Sequence, residues 1–151
     1  MPDLIISDTS CFIVLSNIGR LELLQKLYDK VITTPEIVAE FGGALPDWIV
    51  VKGAADKGRQ IIFESQLDKG ESSALALALE MEDSTLILDD YKARKAASRL
   101  NLRFTGTLGV MIKAKATGLI PSIKPIIEEI RKTDFRITDE LELLVLREAG
   151  E

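Results

Sequence analysis

Apolar residues along the chain fall into short dense runs separated by stretches with helical periodicity. Leu4-Ile5-Ile6 is an uninterrupted branched run ending at Asp8, the pattern of a strand buried on both faces. Asp8-Thr9-Ser10 supplies three side chains able to cap orphan backbone donors, so a helix is expected to start there. Leu21, Leu23, Leu24, Leu27 and Tyr28 recur at helical spacing after a break at Gly19. Val31-Ile32-Thr33 predicts a second strand, and Pro35 opens a short helix over 35–41 that Gly42-Gly43 closes.

From 44 to 66 the pattern assigns no element; Pro46, Trp48 and the runs Ile49-Val50-Val51 and Ile61-Ile62-Phe63 lie there. Asp68-Lys69-Gly70-Glu71 has the spacing of a capping box and introduces a helix over 72–81. That stretch alternates Ala and Leu as a strand would, but Ala is the best helix former and is depleted in sheets. Leu86-Ile87-Leu88 predicts a third strand, 92–100 a helix, 102–104 a fourth strand, and 108–116 a helix closed at Gly118. Pro121 and Pro125 introduce one or two turns ending near Lys132, and 138–147 is a final amphipathic helix. Its Leu141, Leu144 and Val145 suit either the core or a partner. Strands alternating with helices predict an α/β domain, helices on both faces of a mostly parallel sheet of four to five strands, spanning 1–151 as one unit.

Composition narrows the chemistry. The 151 residues, 46% hydrophobic and 28% charged, suit one domain with a substantial core. The longest apolar stretch, 74–79, has six residues against the roughly 18 that a membrane span needs, and no basic residue precedes the first apolar run as in a secretory signal. A cytoplasmic location without membrane association is expected. Cys11 is the only cysteine and histidine is absent, which excludes zinc fingers, Ser-His-Asp triads and Cys-His dyads. A formal net charge of −5 argues against nonspecific nucleic-acid binding. Its distribution changes that picture: residues 91–120 hold seven basic and no acidic side chains, leaving 12 basic against 24 acidic ones elsewhere.

In parallel sheets ligands collect beyond the carboxyl ends of the strands, and two predicted strands run into acids, at Asp8 and at Asp89-Asp90. Neighbouring carboxylates repel unless a cation joins them, and Mg2+ or Mn2+ is the hard ion that carboxylate oxygens suit. Taken singly, each acid also reads as a helix cap or a solvated position. Taken together, an Asp within Asp8-Thr9-Ser10, Glu40 on the Pro-started helix, Gly70-Glu71 before an Ala-rich helix and an Asp closing the next strand resemble the PIN domain family. Gly70-Glu71-Ser72-Ser73-Ala74, Asp89-Asp90-Tyr91-Lys92-Ala93-Arg94 and Thr105-Gly106-Thr107-Leu108-Gly109 are similar to a prokaryotic branch of PIN-like proteins.

The resemblance runs from about residue 4 to 118. It implies a three-layer α/β/α sandwich and a divalent-metal-dependent ribonuclease related to the VapC-type toxins, with an antitoxin protein and a homodimer as partners besides RNA. The family's acids map onto Asp8, Glu40, Glu71 and Asp90, and its hydroxyl position onto Ser10 or Thr9. Many members carry Asp where this chain has Glu71, and Leu88-Asp89-Asp90 replaces their Thr-x-Asp, so Asp89 competes with Asp90 for the metal-facing position; Asp90 is favoured.

A phosphodiester can be cut without histidine when acids hold a metal. In that reading Ser10, Arg94, Thr105 and Thr107 contact substrate, Arg94 from one helical turn beyond Asp90, and the basic residues of 92–115 flank the site on two helices. Thr107 reads equally as a helix cap. A PIN-like module that binds RNA or protein without cutting is the competing reading. A receiver-like domain fits less well, because the acid pair sits on the later strand and no lysine closes the fourth. Gly106 and Gly109 do not complete a dinucleotide fingerprint, and no P-loop is present.

Overall fold

A computed structural model describes residues 3–151 of the chain. Five strands form one sheet: β1 (Leu4–Ser7), β2 (Lys30–Thr33), β3 (Ile49–Val51), β4 (Ser84–Ile87) and β5 (Phe104–Thr105). All neighbours pair in parallel in the order β3-β2-β1-β4-β5, with Ile5 opposite Val31 on one side and Thr85 on the other. Ile5, Ile6, Ile32, Leu86 and Ile87 are fully buried, as continuous apolar strands covered on both faces must be.

Nine helices among the described residues connect and cover the strands: α1 (Thr9–Asn17), α2 (Glu22–Leu27), α3 (Pro35–Phe41), α4 (Lys57–Phe63), α5 (Lys69–Glu80), α6 (Tyr91–Arg99), α7 (Thr107–Ala116), α8 (Lys124–Arg131) and α9 (Asp139–Glu148). Right-handed crossovers put α1, α2 and α7 on one face and α4, α5 and α6 on the other, giving the expected α/β/α sandwich. The contacts agree: α2 packs on α7 and α7 on α9, while α4 and α6 pack on α5. Helix α3 touches both α1 and α5, so it bridges the two layers beside the sheet.

Two expectations need correction. The stretch 44–66 holds both β3 and α4. Their pattern is blurred because β3 is an edge strand with Val50 and Val51 exposed, and α4 turns Ile61 and Ile62 outward. The strand expected at 102–104 is confined to Phe104–Thr105, since the amide of Leu102 donates to Ala97 O and completes the exit from α6. The capping box is real, with Asp68 and Glu71 each accepting from the other's backbone, and it starts α5 at Lys69. Among the described residues no helix is long and apolar enough to cross a membrane.

The chain leaves β1 toward β2 and β3, then returns to the other side for β4 and β5. The connections out of β1 and β4 therefore diverge, and a crevice opens between their carboxyl ends.

Candidate active site

Asp8 stands in that crevice. As the N-cap of α1 it accepts the Cys11 amide on Oδ1 at 2.9 Å, and its Oδ2 accepts the Asp89 amide from beyond β4 at 3.0 Å. The carboxylate thus ties the two diverging strand ends together. Only 6% of the residue is exposed. Burial first and the Asp89 charge second push its carboxyl up to about 8, despite the two amides that favour the ionised form.

Asp89 and Asp90 divide the roles that the sequence left open between them. Asp89 accepts the Thr107 amide at 2.8 Å on one oxygen and the Thr107 hydroxyl at 2.5 Å on the other, so both are engaged by the start of α7. Asp90 caps α6 through a single oxygen, which accepts the Ala93 amide at 3.0 Å. That leaves its second oxygen available to the crevice.

Glu40 and Glu71 arrive from neighbouring helices. Glu40, in the last turn of α3, accepts the Thr9 hydroxyl at 3.2 Å, and its carboxylate rests directly on Gly70 at the start of α5. A Cβ at Gly70 would collide with it, so the glycine before Glu71 is what lets α3 and α5 bring their acids together. Glu71 is half-buried, its amide donating to Asp68 at 2.7 Å. Burial, then the charges of Asp68 and Asp90, push it up to about 7.

These side chains line one pocket of about 510 Å3. Of the residues singled out in the sequence, Asp8, Thr9, Ser10, Glu40, Glu71, Asp89 and Asp90 line it; Arg94, Thr105 and Thr107 do not. Thr107 is fully buried with its hydroxyl spent on Asp89, which removes it from any substrate surface. The Thr105 hydroxyl occupies the space a Cβ would need at Gly109, so the close approach that this glycine permits is an internal one. Arg94 lies over the Phe104 ring, its Cζ 5.1 Å from the centroid and its Nε buried without a hydrogen-bond partner.

The expected pair of basic helices around the site is also corrected. Lys113 bonds Asp3 at 2.7 Å and lies over Tyr28, and Lys115 bonds Glu151 at 2.9 Å. Asp3 precedes β1, so this end of α7 belongs to the opposite edge of the sheet. Asp68, legible in the sequence only as a helix cap, also lines the pocket, and Asp134, Phe135 and Arg136 between α8 and α9 close one side of it. No local signal marks the latter three; only the fold returns them there.

The donor set is carboxylate oxygen carrying more negative charge than its surroundings offset, the chemistry a hard divalent cation fits. The spacing is open: among the described residues no three Asp, Glu or Cys side chains are grouped closely enough to hold one ion. Asp8 is fixed by backbone donors, whereas Glu40 and Glu71 reach in on long side chains whose rotation can narrow the gap. No curated protein matches the chain. The PIN domain family model matches residues 4–151, and with the parallel five-stranded sheet and the acids at its carboxyl edge this makes the chain a member of the PIN domain family, whose domains are generally nucleases.

Proposed function

We propose that the protein is a divalent-metal-dependent endoribonuclease whose site is built from Asp8, Glu40, Glu71 and Asp90. The observation that carries this reading is the gathering of these acids, from beyond the ends of β1 and β4 and from α3 and α5, in one pocket where two of them are held well above the usual carboxylate range. Bound Mg2+ or Mn2+ would supply polarisation of a phosphodiester oxygen and a water of lowered pKa. Asp8 offers a fixed point of attachment, since two backbone amides hold its orientation. Glu40 and Asp90 add oxygens from either side, and Glu71 adds a half-buried carboxylate from the first turn of α5. Asp89, braced by Thr107, holds the β4 end in register with Asp8. The Ser10 hydroxyl and Arg136 are the polar groups on the pocket wall suited to a phosphate oxygen.

Cleavage of single-stranded and structured RNAs with Mn2+, parent against Asp8→Asn, tests the reading. We expect cutting by the parent and a loss of about a hundredfold or more in the variant. Equal cleavage by both overturns it.

The open spacing of the acids favours a second reading, a PIN domain that binds RNA or a partner protein without cutting. Calorimetric titration with Mn2+ separates the two, because only the nuclease requires an ion bound at Asp8. A partner antitoxin and a role as a toxin belong to the nuclease reading as family-level proposals, as does a homodimer.

A further inference from the structure

A second cavity, of about 680 Å3, lies between α6 and the corner where α4 turns into α5. One wall is a single helix face: Lys92, Lys95, Ala96, Arg99 and Leu100 recur at the three- and four-residue spacing of α6. The other wall carries Ile62, Phe63 and Leu67, with Ser65 and Gln66 between them. Lys92, Lys95 and Arg99 are exposed, and among the described residues none takes part in an ion pair. The groove and the acidic pocket are lined by neighbouring residues of the same two chain segments. Leu67 lines the groove and Asp68 the pocket; Lys92 lines the groove and Asp90, two residues earlier, the pocket.

We propose that this groove holds single-stranded RNA on one side of the bond being cut, an inference that rests on the nuclease reading of the acidic pocket. Three cations along roughly 10 Å of helix meet consecutive phosphates. Opposite them, an apolar wall with one aromatic ring meets base faces, and Gln66 and Ser65 add hydrogen bonds without a fixed base preference. A duplex has no use for such a wall, because its base faces are stacked inside and its phosphates lie on both flanks. The groove also answers an electrostatic difficulty: the acidic pocket repels a polyanion, and a row of cations outside any ion pair among the described residues stands here. Binding by this route needs no base stacking beyond Phe63, consistent with a chain that is only 5% aromatic.

The test measures binding alone, so that it stays separate from cutting. A fluorescein-labelled, uncleavable 2′-O-methyl single strand of about 12 nucleotides is titrated by anisotropy over a range of salt, with its duplex as comparison. The protein variants are Lys95→Gln/Arg99→Gln and, independently, Ile62→Glu, all at exposed positions that leave the fold intact. We expect the double variant to bind on the order of tenfold more weakly at low salt and to lower the salt slope by about 1.4. Ile62→Glu should weaken the single strand more than the duplex. If strand binding falls as expected while the parent cuts no RNA, the groove stands and the nuclease reading fails. Unchanged affinity and salt slope in the double variant, no strand binding by the parent, or equal affinity for the duplex overturns the groove, and leaves it to an acidic amphipathic protein segment.

Discussion

Asp8 caps a helix, joins two strand ends and sits in a crowded acidic pocket, and these roles pull its proton in opposite directions. A carboxyl raised in the folded state to about 8 contributes stability that is fully present below its ordinary value of 3.8 and is lost as pH rises through about 8. Asp8→Asn removes that loss while its amide oxygen can still accept one backbone N–H. Thermal unfolding without added metal should therefore show the variant gaining on the parent between pH 5 and pH 8.5, by about 2–4 °C for each kcal/mol. A pH-independent difference would show that the charge is not what destabilises the crevice. At Gly70 the expectation is reversed in kind. Gly70→Ala displaces the Glu40 carboxylate, so the rise in unfolding temperature that Mn2+ gives the parent should shrink sharply, although Ala suits the helix. Thr107→Val keeps the shape of a fully buried residue but leaves one Asp89 oxygen without its donor, and should lower stability by about 1.5–3 kcal/mol in denaturant titrations. Such residues were legible in the sequence as chemistry, acids and hydroxyls at strand ends. Which keep an oxygen free toward the pocket and which are spent as braces was not, because Thr105, Thr107 and Asp89 look alike until β5 and α7 are packed against β4.

Elements with strong local signals were readable and those defined by packing were not. Helix α5 declares itself through its capping box and its Ala-rich body, and α3 through Thr34 as cap and Pro35 in the first turn. Strand β3 and helix α4 escape because each keeps little inside: only Ile49 of the one and Gln60 of the other are buried. Helix α9 buries Val145 and leaves Leu143 and Leu144 exposed, so the expected core face is narrower than its leucines suggested. Helix α8 starts on a long-range cap: the Glu151 carboxylate accepts the Ile123 amide at 2.7 Å and the Ser122 hydroxyl at 2.6 Å, and pairs with Lys115. These contacts, the Ile123 amide first, lower its carboxyl to about 2. A depressed value contributes stability present above the ordinary carboxylate range and lost as pH falls toward about 2. Glu151→Gln should consequently unfold at a lower temperature than the parent at pH 7, with the difference closing toward pH 2. A gap that persists at the lowest pH would assign the effect to packing.

At the scale of the whole molecule, charge is segregated by edge. The carboxyl edge of the sheet gathers uncompensated acids, and at the opposite edge Lys113 and Lys115 are neutralised by Asp3 and Glu151. In the proposed nuclease, protons and a divalent ion would compete for the oxygens of this acidic edge, coupling folding to cation binding there. Mn2+ at about a hundredfold over its Kd should stabilise the parent by about 2.7 kcal/mol, less at pH 6 than at pH 8, and should do little for Asp8→Asn. A Mn2+ effect equal in both proteins would move the ion elsewhere.

The sequence by itself determined the α/β alternation, the absence of histidine and disulfide chemistry, and the acids at the ends of β1 and β4, because periodicity, caps and composition act over a few residues. Only the tertiary structure decided that Glu40 meets Gly70, that Thr107 serves Asp89, that Lys113 and Lys115 of the basic segment are neutralised, and that 134–136 reach the pocket. The physical reason is common to all of these. Each depends on where crossovers set one strand end beside another, a relation between residues tens of positions apart that no local pattern encodes.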